Sequence, residues 1–99
     1  MEYRRLGSSG LKVSEIGLGG NNWGAMADES TSVSVINHAI EIGVNFLDTA
    51  DVYSRGQSEE FIGKAIKDKR HRVIIATKFG GPMGEGPNER GGSRYHIIQ

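Results

Sequence analysis

Three polar side chains in this sequence, Asp48, Tyr53 and Lys78, have the types and positions that proton-transfer chemistry requires. Asp48 and Lys78 each follow a short apolar segment, and Tyr53 lies five residues after Asp48. A lysine ammonium stabilises a neighbouring phenolate, and a carboxylate keeps that lysine charged and oriented. Such a phenol can exchange a proton with a carbonyl or alcohol oxygen. The alternative is structural: Asp48 caps a turn, Tyr53 packs against the core and Lys78 is solvated.

The segments that would carry these residues alternate between helix and strand patterns. Apolar residues recur at helical spacing in 28–43, and again after Ser58, the predicted N-cap of a second helix. Short apolar segments at 44–48 and 73–77 predict strands. The second of these is unbroken, which is typical of a parallel strand covered on both faces.

The two ends of the chain add a hairpin and a further helix. Residues 3–15 carry a Gly-Ser-Ser-Gly turn between two short segments, which predicts a hairpin. Residues 16–20 predict a brief strand. Segment 80–92, with six glycines and two prolines, predicts a long loop. Ser93 is then the predicted cap of a third helix.

This order, a hairpin followed by β-α-β-α-β and the start of a helix, predicts a parallel α/β sheet. Neighbouring strands lie ~4.8 Å apart, so Asp48 and Lys78 are expected to meet if their strands pair. Active sites of α/β barrels and open sheets lie at this carboxyl edge. Three strands leave both edges open, so we expect residues 1–99 to be the N-terminal portion of a longer protein.

Composition restricts the classes of partner. Twelve basic residues balance twelve acidic ones, which argues against binding to nucleic acid or to an anionic membrane. The absence of cysteine excludes disulfides and Cys-ligated zinc, and no metal site is predicted. No apolar run approaches the ~18 residues of a membrane span, and the N-terminus lacks a signal-peptide pattern. A cytoplasmic protein is therefore expected, with its oligomeric state open.

Four motifs in a fixed order resemble the aldo/keto reductase family. GVNFLDTADVY, residues 43–53, is similar to the family signature, and SEEFIGKA at 58–65 continues it. IATKFG at 75–80 resembles the next block, and YRRLG followed by SGLKVS, within 3–14, is similar to the hairpin that closes the bottom of the family's barrel. The resemblance covers essentially the whole chain and is nearest to bacterial general reductases and potassium-channel β-subunits.

The resemblance implies a (β/α)8 TIM barrel, with residues 1–99 as the N-terminal portion of that single domain and the C-terminal part missing. It implies NADP(H) as cofactor and a small carbonyl compound as substrate. Tyr53 would be the general acid, Lys78 the cation that tunes its acidity, and Asp48 the partner of Lys78. The cofactor would supply the hydride. The family's catalytic histidine follows the next strand, and no histidine here occupies that position.

The stretch from Gly17 to Gly24 fails the G-x-G-x-x-G pattern of a Rossmann fold and is not followed directly by a helix. The family contacts the nicotinamide end of its cofactor here. The resemblance therefore implies cofactor binding by Gly20, Asn21 and Asp48, and a substrate pocket bounded by Trp23. Many relatives have Thr-Trp in place of Gly20-Asn21. The alternative is a glycine-rich turn with Trp23 covering the core.

Two other functions remain open. One is a non-catalytic, cofactor-binding regulatory subunit of the channel β-subunit kind. The other is a true 99-residue remnant that must oligomerise to cover its sheet edges. Intact Asp48, Tyr53 and Lys78 favour the enzyme over the regulatory subunit, and the reading frame beyond Gln99 would distinguish the remnant.

Overall fold

The computed structural model describes residues 1–99, and its strands form two sheets. Strands β1 (Tyr3–Arg5) and β2 (Lys12–Ser14) pair antiparallel as the predicted hairpin. Strands β3 (Leu18–Gly19), β4 (Phe46–Asp48) and β5 (Ile74–Ala76) form a parallel sheet in the order β3-β4-β5. The predicted parallel α/β architecture is therefore confirmed.

Three α-helices connect and follow these strands. Their bounds are α1, Glu29–Glu41; α2, Gln57–Ala65; and α3, Arg94–Ile98. Single 3-10 turns occupy Tyr53–Gly56 and Arg70–Arg72. Segment 80–92 contains neither helix nor strand, as its glycines predict. No helix combines the length and apolar character needed to cross a membrane.

Helix α1 begins and ends on residues that suit those positions. The Asp28 carboxylate accepts a hydrogen bond from the Thr31 N–H at 2.8 Å, which lowers the pKa of Asp28. This contribution to folding is present above the ordinary aspartate pKa and is lost as the pH falls through the lowered value. After the helix, Gly43 adopts φ +100°, a left-handed conformation that glycine adopts without steric cost.

The start of helix α2 differs from the prediction. Ser58 is not the N-cap, because the helix begins at Gln57, two residues earlier than that cap would give, and Gly56, at φ +92°, occupies the cap position. Ser58 instead lies in the first turn with no exposed surface. The sequence signal is ambiguous because a serine before two glutamates suits either a cap or a first turn.

One row of side chains across the sheet faces the helices. Leu18, Leu47 and Ile75 are register partners on β3, β4 and β5. Leu47 is fully buried, and the other two pack against the same core. Helices α1 and α2, the segment after β3 and the segment between α2 and β5 contribute the rest of this core: Trp23, Ile36, Ile40, Phe61, Ile62, Ala65, Ile66 and Val73. Both predicted helical stripes therefore pack on the sheet.

The other face of the sheet is only half covered. Side chains alternate along a strand, so Phe46 and Asp48 point away from Leu47 and its helices. All of β5 is half-buried, which differs from the prediction of a strand covered on both faces. The chain is correspondingly flat, at 44 × 36 × 22 Å. Its radius of gyration is 14.4 Å, against about 13 Å for a compact domain of this length.

The hairpin is attached to the sheet mainly through Asn45. The Asn45 Oδ1 accepts from the Ser14 N–H at 2.7 Å, and its Nδ2 donates to the Lys12 carbonyl at 3.0 Å. The Tyr3 hydroxyl adds a bond to the Gly43 carbonyl at 2.8 Å. These contacts fix the hairpin at the amino end of β4, opposite the edge where Asp48 lies.

Expressed alone, residues 1–99 are expected to aggregate or self-associate. The outer edges of β3 and β5 present unpaired backbone groups. Three large apolar side chains are also about half exposed: Phe79 at 55%, Ile97 at 48% and Ile98 at 62%. Size-exclusion chromatography with light scattering, followed by thermal unfolding, checks this. A monomer with one cooperative unfolding transition contradicts it.

Candidate active site

The carboxyl edge of the parallel sheet brings together the three side chains that the sequence singles out. Asp48 ends β4 and lies beside Ala76 of β5, so Lys78 follows two residues beyond that pair. The Lys78 Nζ lies 2.6 Å from the Asp48 Oδ1 and 3.4 Å from the Tyr53 hydroxyl oxygen. The same nitrogen lies 5.1 Å from the centre of the Tyr53 ring.

The Lys78 ammonium uses all of its hydrogen-bonding capacity here. It carries three N–H groups and has three acceptors: the Asp48 carboxylate, the Thr49 carbonyl oxygen at 2.9 Å and the Tyr53 hydroxyl oxygen. The hydrogen bond to Asp48, and then the one to Tyr53, raise the pKa of Lys78 above its ordinary value. The lysine is therefore held charged and directed at Tyr53.

The ion pair itself is open to solvent. The side chain of Lys78 is 51% exposed and that of Asp48 is 43% exposed. Exposed pairs of this kind contribute little to folding stability. Their geometry must therefore be maintained by the backbone and side chains that surround them.

Tyr53 is presented by an unusual turn. Ser54 and Arg55 follow it with φ of +50° and +54°, and Gly56 continues the left-handed conformation at +92°. Left-handed backbone at residues other than glycine costs about 1–3 kcal/mol each and clusters at functional sites. Sequence reasoning predicts only a loop at 49–57, because neither serine nor arginine signals a left-handed conformation.

Gly20 lies at the same edge, enclosed by its neighbours. Its N–H donates to the Asp48 carbonyl at 2.8 Å, and its carbonyl accepts from the Ser58 hydroxyl at 2.9 Å. A Cβ added at Gly20 would lie 2.7 Å from both the Ser58 Oγ and a ring carbon of Trp23. Only glycine allows this approach. Asn21, the next residue, is exposed.

Trp23 is packed in the core. It is 4% exposed and belongs to the cluster that includes Leu47 and Ile62. It does not line the cavity beside Lys78. Its burial is what the core alternative predicts, because the turn after β3 directs the indole toward the helices, and its role at a substrate pocket stays a prediction.

None of the three histidines joins Asp48, Tyr53 and Lys78. His38 and His71 are exposed, whereas His96, in α3, is buried. The His96 Nε2 has no hydrogen-bond partner and lies 4.0 Å from the Asp51 Oδ2. His96 therefore lies beside Asp51, in the loop that carries Tyr53. No group of three or more His, Asp or Glu side chains is placed to hold a metal ion.

A cavity of about 520 Å³ adjoins Lys78, although neither Asp48 nor Tyr53 lines it. The loop after β5 and helix α3 form much of its wall, with Phe79, Met83, Tyr95 and His96 among its lining residues. Its volume is in the range of small-molecule sites. Thr49, Ser58 and Phe79 lie within the motifs that resemble the family, but the sequence alone assigns them no role at the site, and Met83, Tyr95 and His96 lie outside those motifs.

Comparison with known proteins gives consistent matches. Residues 15–99 match the family model described as Aldo/keto reductase family. The chain is 45% identical over 86 residues to an uncharacterized oxidoreductase, YqkF, of Bacillus subtilis strain 168, covering 87% of this chain and 28% of that protein. It is 41% identical over 105 residues to a probable voltage-gated potassium channel subunit beta of Arabidopsis thaliana, covering 100% of this chain and 31% of that protein.

A solved structure agrees with this chain over nearly its whole length. The aldo-keto reductase AKR11C1 from Bacillus halodurans, in its holo form, matches with a TM-score of 0.84 and 39% sequence identity. The match covers 98% of this chain and 33% of that structure. The chain thus spans about a third of the length of the relatives it matches.

Proposed function

The chain belongs to the aldo/keto reductase family, and on that premise we propose that its protein reduces an aldehyde or ketone to an alcohol with NADPH. Tyr53 is the general acid, Lys78 tunes it and Asp48 orients Lys78. The observation that carries this proposal is the Lys78 ammonium in contact with both the Asp48 carboxylate and the Tyr53 hydroxyl. Family membership supports the oxidoreductase class in general.

The direction of one hydrogen bond supports the acid role of Tyr53. An ammonium can only donate, so the Tyr53 oxygen accepts from Lys78. The phenolic proton then points away from Lys78 and is available to a carbonyl oxygen. As that proton leaves, the adjacent positive charge stabilises the phenolate that forms. Asp48 keeps the ammonium protonated and in place throughout.

The residues at the carboxyl edge suit the nicotinamide end of the cofactor. Asn21 presents an exposed amide, and the Asp48 carboxylate is partly accessible, so together they offer a donor and an acceptor for a carboxamide. We assign cofactor contact to Gly20, Asn21 and Asp48, with Gly20 acting by fixing the turn that presents Asn21, since Ser58 and Trp23 fill the space beside it. When bound, NADPH supplies the hydride.

We also propose that residues 1–99 form the N-terminal portion of one (β/α)8 barrel. The half-covered face of the sheet and the free edges of β3 and β5 are where a barrel's remaining strands would close. The hairpin would then lie across the bottom of that barrel, away from Asp48 and Lys78.

The full-length protein is expected to oxidise NADPH in the presence of small aldehydes or ketones. The measurement is NADPH absorbance against a panel of carbonyl compounds, with NADH as the paired cofactor. Stoichiometric alcohol formation is the expected result. Absence of turnover with every carbonyl, or equal kcat/KM with NADH, contradicts the corresponding part of the proposal.

The second candidate is a cofactor-binding regulatory subunit, favoured by the similarity to a probable channel subunit beta. Such a protein binds NADPH but is selected for contacts with its partner. Tight NADPH binding without carbonyl turnover in the same assay is the result that distinguishes it from the reductase.

A further inference from the structure

Ser58 and Thr49 form a buried polar link directly behind the site. Ser58 has no exposed surface and Thr49 is 1% exposed. The Ser58 Oγ lies 2.7 Å from the Thr49 Oγ1 and 2.9 Å from the Gly20 carbonyl oxygen. The link therefore joins the end of β4, the first turn of α2 and the segment after β3.

The direction of these hydrogen bonds is determined by their chemistry. The Gly20 carbonyl can only accept, so the single Ser58 hydrogen points to it. The Thr49 hydroxyl must then donate to the Ser58 oxygen. Both hydroxyl hydrogens are used, and neither is free to rearrange without leaving a buried polar group unpaired.

Two further contacts connect this link to the ion pair. The Thr49 carbonyl accepts from the Lys78 ammonium at 2.9 Å. The Gly20 N–H donates to the Asp48 carbonyl at 2.8 Å. Gly20 thus holds the Asp48 carbonyl, and Ser58 holds the Thr49 side chain, each through a hydrogen bond.

We propose that Thr49 and Ser58 are positioning residues for the Lys78 ammonium. Their buried hydrogen bonds hold the Thr49 carbonyl where it takes one of the three N–H groups of Lys78, which leaves the other two directed at Asp48 and Tyr53. This inference rests on the proposed reductase function.

The exposure of the ion pair explains why such a device is needed. Lys78 and Asp48 are too exposed for packing to fix them, and an exposed ion pair does not fix its own geometry. The Thr49 carbonyl belongs to a rigid backbone position whose N–H also donates to Ala76 of β5 at 2.8 Å. The buried hydrogen bonds of Thr49 keep its carbonyl in place, and that carbonyl in turn restricts the position of the Lys78 ammonium.

The test compares Ser58→Ala with Ser32→Ala in the protein as its gene encodes it. Ser32 is an equally buried serine, on α1, whose hydroxyl bonds the Ala27 carbonyl and has no contact with the site. Ser58→Ala is expected to lower kcat about 10-fold or more, since a misplacement of about 1 Å can cost ~10²-fold. KM for the carbonyl compound should change little. Ser32→Ala should lower Tm without lowering kcat.

A second pair of variants, at Thr49, tests the same hydrogen bond even if Ser58→Ala does not fold. Thr49→Val removes the hydroxyl at nearly constant volume, whereas Thr49→Ser keeps it. We expect Thr49→Val to lose kcat as Ser58→Ala does and Thr49→Ser to retain most of it. Equal kcat values for Thr49→Val and Thr49→Ser, or for Ser58→Ala and Ser32→Ala below their Tm, overturn the proposal.

An NMR titration of Lys78 separates this proposal from the reductase function. The hydrogen bonds to Asp48 and Tyr53 raise the pKa of Lys78, so loss of the link should move its titration to lower pH in Ser58→Ala but not in Ser32→Ala. This result is expected even if the wild-type protein turns over no carbonyl compound, an outcome that would reject only the reductase. An unchanged Lys78 titration in Ser58→Ala rejects the positioning role.

Discussion

Replacing Tyr53 by phenylalanine is expected to abolish carbonyl reduction while leaving NADPH binding nearly intact. The substitution removes only the phenolic hydroxyl, and the ring can keep its place on the turn that presents it. General acid catalysis typically contributes ~10²–10⁴-fold, so kcat should fall by at least that range. Steady-state kinetics with NADPH fluorescence titration measure the two effects separately.

Tyr95→Phe is the matched control for this variant. Tyr95 lines the cavity beside Lys78 and is 62% exposed, but its hydroxyl makes no hydrogen bond to Lys78. Its hydroxyl should be dispensable for proton transfer. A Tyr53→Phe protein with the turnover of Tyr95→Phe would remove Tyr53 from the acid role.

Replacing Lys78 by methionine is expected to slow the reaction and to shift its pH profile. The ammonium lies 3.4 Å from the Tyr53 oxygen, so its loss removes the positive charge that stabilises the negative charge formed on that oxygen during proton transfer. The rate of alcohol oxidation at saturating alcohol and NADP⁺, followed against pH, gives the midpoint of the profile in each protein.

The same substitution should alter folding stability only slightly. The pKa of Lys78 is raised by its bond to Asp48, so its contribution to folding is present below the ordinary lysine pKa. That contribution is lost as the pH rises through the raised value. Because both partners are about half exposed, solvent screens most of the interaction. Activity is therefore lost from a folded protein, which circular dichroism checks.

Asp48→Asn provides the contrast for Lys78→Met. It leaves the ammonium in place but removes the carboxylate that orients it, so the kinetic loss should be smaller. If the high-pH midpoint of the rate profile is the same in Lys78→Met as in the wild-type protein, Lys78 does not influence proton transfer by Tyr53.

The secondary structure and the meeting of Asp48 with Lys78 could be predicted because both depend on short-range patterns. Apolar spacing identifies the buried stripes, and the parallel pairing of β4 and β5 follows from their alternation with helices. Once the strands pair, residues at their carboxyl ends are necessarily neighbours. Tyr53 joins them because only a short loop separates it from Asp48.

The features that could not be predicted depend on tertiary contacts. Ser58 has the local sequence pattern of an N-cap, yet its hydrogen bonds are made with Gly20 and Thr49, which both lie outside helix α2. The same holds for the burial of Trp23, which depends on where the turn after β3 directs the ring. Propensity contains no information about these contacts.

The three groups of the site all belong to one strand–helix–strand unit, with 30 residues separating Asp48 from Lys78. In terms of chain entropy, a single loop closure assembles them, and the cost of such a closure grows only slowly with length. A ribosome working at ~5–20 residues per second makes this stretch in about 2–6 s. The charge cluster is consequently complete within one strand–helix–strand unit, and Gly20, which lies outside that unit, adds the hydrogen bond that holds the Asp48 carbonyl.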